Sequence, residues 1–448
     1  MLTEKMQPFF SFQPQIAAVL SHSSRLCPFN DQIIELTHFG SLGKIGSMLR
    51  RHLTEALRAA AASYPVVTLT GPRQSGKTTL VQALFGDHRY LSLEAPDVRA
   101  RAIEDPRSLL AQGDRLILDE VQRAPELLSY IQGLVDADPQ PGRFILTGSQ
   151  NLLLMEAVSQ TLAGRTAFLR LYPLSLAELS EREPLDPLNL DRIDGPPAAT
   201  GVPPLDRTLW ATLVDGFYPR IHDRGIPASE WLADYFRAYV ERDVREVMQI
   251  SDARGFERFV RLAAAHTATE LNLASLASDV GITQQTAKRW LAALEIGYLA
   301  TTLPPHHANY RKRLRRRPRL HFLDTGLVCY LLDIRDAATL ERHPLRGAVF
   351  ESFVVSELVK SFAAIRRDPP LYFWRDATGH EIDILIDAGG RVVPVEVKSG
   401  QTVAGDAVDT LAWWTSIPSN PNQGGVLVHG GEETFDFKGF RVLPWFLN

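Results

Sequence analysis

Cysteine is almost missing from this chain. The two cysteines among 448 residues, Cys27 and Cys329, lie far apart and in no metal-ligand spacing. That excludes a disulfide framework and a zinc module, and it suits a reducing compartment, so a cytoplasmic location is expected. Long apolar runs are missing too: none approaches the roughly 18 residues a membrane span requires, so no membrane partner is expected. Nor does charge of one sign dominate. The formal net charge is −4, so no global basic field points to nucleic acid, and any such signal must be local. No internal repeat recurs at a fixed period. Apolar material, in contrast, is plentiful at 45%, enough for several cores, and the length implies two to four domains.

Residues 1–47 are mixed in character and lack the charged start and clean apolar stretch of a signal peptide. They read either as an extension upstream of a start at Met48 or as a flexible arm. From Met48 the pattern Leu-Arg-Arg-His-Leu opens an amphipathic helix expected over 48–63, with Leu49, Leu53 and Leu57 on one face. Short β-branched or apolar runs at 66–70, 90–93, 115–118 and 144–147 then alternate with helical stretches at 77–85 and 125–135. Such alternation predicts a parallel α/β sheet. Six prolines between Pro184 and Pro204 mark a linker. The pattern is mostly helical from Leu209 to Leu303. A helix followed by strands at 371–374, 382–386 and 392–397 closes the chain.

Gly71-Pro72-Arg73-Gln74-Ser75-Gly76-Lys77-Thr78 fits G-x-x-x-x-G-K-[ST] between a strand and a helix. Its glycines let successive N–H groups face phosphates. Lys77 reaches the β- and γ-phosphates, Thr78 holds Mg²⁺, and Thr79 closes the ATP-binding set. Such a loop needs a carboxylate at the end of a buried strand. Leu116-Ile117-Leu118-Asp119-Glu120 supplies it, with Asp119 on the metal side and Glu120 polarising the attacking water. Thr147 or Ser149, after the next strand, brings a polar group toward the γ-phosphate. Arg165 is expected either to stabilise charge on the transferring phosphoryl group or to cap a helix or pair with a surface acid.

Leu271–Ala277, a turn at Gly281-Ile282-Thr283, and Gln284–Leu294 have helix-turn-helix patterning. Ala287, Trp290, Leu291 and Leu294 face inward, and Thr286, Lys288 and Arg289 outward. Leu299–Leu303 and Leu320–Leu323 read as the strands of a wing. Seven of the nine residues from Arg311 to Arg319 are basic, which suits a phosphate backbone and makes DNA an expected partner. Further on, Asp383 opens an apolar strand, and after twelve intervening residues Glu396-Val397-Lys398 closes another. Paired strands would gather Asp383, Glu396 and Lys398 at one sheet end, with Glu351 added from the preceding helix. Carboxylates so gathered can hold a second divalent ion, and the ammonium can act on a water or a phosphoryl group.

These motifs together resemble the ATP-binding proteins that join an AAA+ ATPase domain of the AAA_14 type to a DUF4143 region. Leu69–Leu80, Leu118-Asp-Glu-Val-Gln-Arg-Ala-Pro125, Leu146–Ser149, Leu162-Ala-Gly-Arg165 and Tyr172-Pro-Leu-Ser-Leu176 carry the resemblance. So do Tyr239-Val-Glu-Arg-Asp243, Phe322–Leu327, Phe373-Trp-Arg-Asp376 and Val395–Lys398. It implies that the C-terminal part is similar to PD-(D/E)xK nucleases, and that the ATPase domain assembles as a homo-oligomer. The expected fold class is α/β. An extension (1–47) precedes a P-loop AAA+ parallel-sheet domain (48–183) and a proline-rich linker (184–208). A helical and winged-helix segment (209–335) and a nuclease-like α/β domain (336–448) follow.

Overall fold

The computed structural model describes residues 49–149, 158, 160–191, 205–240, 250–306, 317–376, 378–417, 420 and 424–447. The expected extension at 1–47, Pro196 to Pro204 of the linker, Glu241 to Asp243, and Arg311 to Arg316 lie outside them. So do Gln150 and the side chain of Ser149.

Five parallel strands form the first sheet: β1 (Val66–Gly71), β2 (Arg89–Ser92), β3 (Leu116–Asp119), β4 (Phe144–Ser149) and β5 (Thr166–Arg170). Their order is β2-β3-β4-β1-β5. Every residue of β1 and β3 is buried, as covering helices on both faces require. Helices Thr54–Ser63 and Lys77–Leu84 cover one face through Leu57, Ala60, Leu80 and Val81; Leu127–Ala137 covers the other. Because β1 lies inside the sheet with crossovers leaving it, its C-terminal end forms a crevice where ligands bind in open α/β sheets. Strand β5 was not foreseen, since Thr-Ala-Phe-Leu-Arg is short and alternates weakly.

The first helix begins at Thr54, not at Met48. Residues 49–53 instead run along the ATPase core, and Arg51 explains the difference. It is buried, and it donates to the carbonyls of Ser75 (2.6 Å) and Tyr172 (2.7 Å) while pairing with Glu178 (3.1 Å). A helix through this stretch would pull the guanidinium away from three partners.

In the middle of the chain, helices Leu273–Val280 and Gln284–Ile296 meet at a turn with Gly281 left-handed and Thr283 as N-cap. Ala287, Trp290, Leu291 and Leu294 are buried. Strands β6 (Thr269–Glu270), β7 (Ala300–Leu303) and β8 (Arg319–Phe322) make a small antiparallel sheet ordered β6-β8-β7.

The last sheet has six strands: β9 (Leu371–Arg375), β10 (Glu381–Asp387), β11 (Val392–Lys398), β12 (Val426–His429), β13 (Phe435–Phe437) and β14 (Phe440–Pro444). Their order is β13-β14-β12-β11-β10-β9. Helix Arg346–Ala364 packs on one face with Ile384, Ile386, Val395 and Val397; Asp409–Ser416 packs on the other with Leu385, Val392 and Leu427. One buried cluster runs from Leu174 to Leu447, across the boundary expected at 335/336. It joins the helical segment to this sheet.

Candidate functional site

The phosphate loop leaves β1 at Gly71, where φ is +151°. A Cβ there would lie 2.1 Å from the carbonyl oxygen of Leu171, so only glycine lets β1 and the chain after β5 approach this closely. Gly76, at φ +90°, is the N-cap of helix Lys77–Leu84 and aims that helix's free N–H groups into the loop. Lys77 is buried and donates to the carbonyls of Gly71 and Pro72, each at 2.9 Å. Its ammonium therefore sits over the loop it would share with phosphates.

Asp119 ends β3 beside this loop. The Thr78 hydroxyl donates to its two oxygens at 3.1 and 3.3 Å, Tyr90 donates at 2.7 Å, and Thr147 donates as well. Of the two polar groups weighed on β4, Thr147 is the one seen at Asp119. Burial, reinforced by the bond to Asp119, pushes the Tyr90 phenol up to about 12, so it stays a donor at neutral pH. Glu120 follows at φ +57°, a left-handed conformation that costs a non-glycine residue roughly 1–2 kcal/mol. The Gln122 amide donates to its carboxylate. Strain of this kind is kept where a side chain must point in one direction. Tyr90 and Gln122 were not singled out beforehand; Gln122's signal was its place two residues after Glu120.

Arg165 is not brought to its own chain's phosphate loop. It immediately precedes β5, and its carbonyl accepts from Val66 N–H at the N-terminal end of β1. Gly71 lies at the other end of that strand, about 17 Å away at roughly 3.3 Å per residue. The guanidinium makes a two-pronged bond to Asp136, one prong at 2.9 Å, and donates to Ala163 O at 3.0 Å. This is the pairing with a surface acid that stood as its alternative role.

At the C-terminal end of the molecule, β10 and β11 pair antiparallel with Ile384 opposite Val395, which sets Asp383 beside Glu396 as expected. Asp383 accepts from Val397 N–H at 3.0 Å, and Lys398 donates to Glu396 at 2.7 Å. The unexpected member is Arg319. Expected on the exposed basic wing, it is only 4% exposed and lies among these acids. It pairs with Glu351 (3.3 Å), Asp383 (3.6 Å) and Glu381, and stacks over the Phe373 ring at 4.8 Å. It heads β8, whose four residues are all buried, whereas Arg317, two residues before the strand begins, is exposed.

Burial and the neighbouring Asp383 push Glu396 up to about 8 and hold Glu351 well above the carboxylate range. Burial opposes the charge on Lys398, but Glu396 outweighs it and holds the ammonium above its ordinary range. Buried His321 is driven down to about 3 by desolvation and by Arg319, so it is neutral. Among the described residues no group of three or more His, Cys, Asp or Glu is placed to hold a metal ion. The carboxylates Glu351, Asp383 and Glu396, expected to share a divalent ion, share Arg319 and Lys398 instead.

The phosphate loop on an inner parallel strand, with an acid at the end of β3 facing its threonine, defines an ATPase domain of the P-loop type. Family models agree: an AAA domain matches residues 63–180, a domain of unknown function (DUF8612) 206–338, and a domain of unknown function (DUF4143) 346–447. Uncharacterized protein Rv2008c of Mycobacterium tuberculosis is 34% identical over 364 residues, covering 80% of this chain and 76% of the relative. Uncharacterized protein Mb2031c of Mycobacterium bovis matches to the same extent. The chain belongs to their family, and in this chain an AAA domain precedes a DUF4143 region. Among solved structures, a Walker-type ATPase of Pyrococcus abyssi is 16% identical, with 63% of this chain and 96% of that chain covered and a TM-score of 0.38. AMPPCP-bound DnaA from Aquifex aeolicus is 17% identical, with 54% and 85% covered and a TM-score of 0.26. No described helix is long and apolar enough to cross a membrane.

Proposed function

We propose that this chain hydrolyses ATP and couples its nucleotide state to a DNA-binding C-terminal half. The observation that carries the ATPase reading is the meeting of Thr78 and Asp119 at the mouth of the phosphate loop. Thr78 and Asp119 are the pair that would hold Mg²⁺, Asp119 through water, and the ion would offset phosphate charge when bound. Apart from Pro72, which has no N–H, the residues from Gly71 to Gly76 and Thr79 supply backbone N–H groups to the phosphates. Lys77 turns from the carbonyls of Gly71 and Pro72 toward them. Glu120, aimed by its left-handed backbone and by Gln122, accepts the proton of the attacking water. The test is turnover of ATP with Mg²⁺. Lys77→Ala is expected to lose nucleotide binding, and Glu120→Gln to bind without turnover because an amide accepts no proton. Parental turnover in Glu120→Gln would remove Glu120 from this role.

The helix pair 273–296 with strands β7 and β8 supports a winged-helix reading, in which the basic stretch 311–317 reaches DNA phosphates. The C-terminal strands support a nuclease-like reading, with Asp383, Glu396 and Lys398 as the reacting set and Glu351 beside them. One observation favours a second reading, a nucleotide-dependent switch that binds without cutting: Arg319 occupies the acidic cluster where a cation would be needed. Incubation with linear and branched DNA, with Mg²⁺ or Mn²⁺ and with or without ATP, separates the two readings. The chain is further proposed to assemble through its ATPase domain, where Arg165 would serve a neighbouring copy's nucleotide.

A further inference from the structure

Helix Gln284–Ile296 ends in an unusual way. Leu299 N–H donates to Leu294 O and Tyr298 N–H to Glu295 O, each at 3.0 Å. Those paired bonds are the helix stop that normally places glycine in the left-handed position. Here Tyr298 occupies it, at φ +50°, although Gly297 stands one residue earlier. A tyrosine there costs roughly 1–2 kcal/mol relative to glycine. Exchanging the two residues would not relieve it: a Cβ on Gly297 would meet Ala293 O and the Tyr239 hydroxyl at 2.9 Å. The chain therefore holds a strained tyrosine at one defined place.

That place is the root of the phosphate loop. The Tyr298 hydroxyl lies 3.0 Å from Thr70 Oγ1, and Thr70 is the residue before Gly71. The Tyr298 ring also stands edge-on to Tyr172, with centroids 5.6 Å apart. Tyr172 gives its carbonyl to Arg51, and Arg51 also holds Ser75 inside the loop. One side chain thus touches both the strand that enters the loop and the segment that braces it from behind. On its other side, Tyr298 leads through Leu299 into β7, and Leu299 O accepts from Leu323 N–H at 2.9 Å. A shift of the loop when phosphates draw Lys77 off the carbonyls of Gly71 and Pro72 would move Thr70 and be felt at the end of this helix.

We infer that Tyr298 is a positioning residue through which occupancy of the phosphate loop is communicated to the helix pair and strand β7. The inference rests on the ATP-binding reading above but not on DNA binding. Strained residues at contacts between segments are where two-state behaviour is built in. A reciprocal consequence follows: whatever binds the helix pair differently in the two states must alter nucleotide affinity by the same factor.

The test compares the full chain with Tyr298→Phe, which keeps ring and backbone but removes the hydroxyl, and with Thr70→Val. Hydrogen–deuterium exchange of the amides at 284–303 is measured with and without a non-hydrolysable ATP analogue and Mg²⁺. In the parent, the analogue is expected to slow exchange there by about fivefold or more, the low end of ordinary coupling. In both variants the change is expected to shrink to within about twofold while the analogue still binds. Tyr298→Gly, which relieves the backbone strain but also removes the ring and its hydroxyl, serves as a third arm and is expected to be uncoupled. Unchanged protection in Tyr298→Phe and Thr70→Val, with or without a lower melting temperature, overturns the inference and leaves Tyr298 as packing. Failure of the parent to bind the analogue would overturn the ATP reading itself, and this inference with it.

Discussion

Arg319→Met is the substitution that best separates a buried counter-ion from a surface charge. The guanidinium is 5% exposed in its side chain, and its three acids keep between 14% and 32% of theirs. Methionine retains the length of the stem and its packing against Phe373 but removes the charge. Breaking a buried charge set by removing one partner costs about 3–5 kcal/mol, because the remaining charges stay buried without compensation. The loss should depend on pH. Glu396 already stands near 8 and Glu351 above its ordinary range, so the folded parent binds more protons than the unfolded chain from about pH 4.5 upward. Stability through these groups therefore falls as pH rises across that window. Without Arg319, one further carboxylate should stay protonated in the fold. Held so from pH 5 to pH 8, it adds about 4 kcal/mol to the fall, at roughly 1.36 kcal/mol per unit. Urea unfolding followed by tryptophan fluorescence at pH 5, 6.5 and 8 measures it. The variant should lie near the parent at pH 5 and lose most at pH 8. A loss below about 1 kcal/mol that does not vary with pH would be that of an exposed ion pair, and would refute the counter-ion reasoning.

Gly71→Ala should abolish nucleotide binding and destabilise the ATPase sheet by about 2–4 kcal/mol, since the new methyl group meets the Leu171 backbone; calorimetry and a melting curve check both. Replacing Arg313, Arg315, Arg316 and Arg317 together by Ser should flatten the salt dependence of DNA binding, with a slope reduced by up to about 0.9 for each phosphate no longer neutralised. An unchanged slope would assign those charges to another partner. Arg165→Ala mixed with Lys77→Ala should recover turnover if Arg165 serves a neighbouring copy; no recovery in oligomers shown to be mixed would count against it.

The phosphate loop and the acid beside it were legible in the sequence because their parts are local. Gly71 to Thr78 are contiguous, and Asp119 follows an apolar run that can only be a buried strand. Period and turn residues likewise fixed the helix pair 273–296, with Gly281 at its turn and Ala287, Trp290, Leu291 and Leu294 inside. The register of β10 with β11, and hence the meeting of Asp383 with Glu396, followed from two apolar strands joined by a short turn. Long-range contacts had no such signal. Arg319 belonged by sequence to a basic run, and only the burial of the whole of β8 set it among Glu351, Glu381 and Asp383. Arg51 sat in a helical pattern until Ser75, Tyr172 and Glu178 came together around it. Arg165 looked like a partner for phosphate because it follows the polar turn in sequence, but the parallel sheet returns the chain to the opposite end before β5 begins. Tyr298 carried no motif at all. Its left-handed backbone and its contact with Thr70, 228 residues earlier, exist only because tertiary packing supplies the energy that local preference withholds.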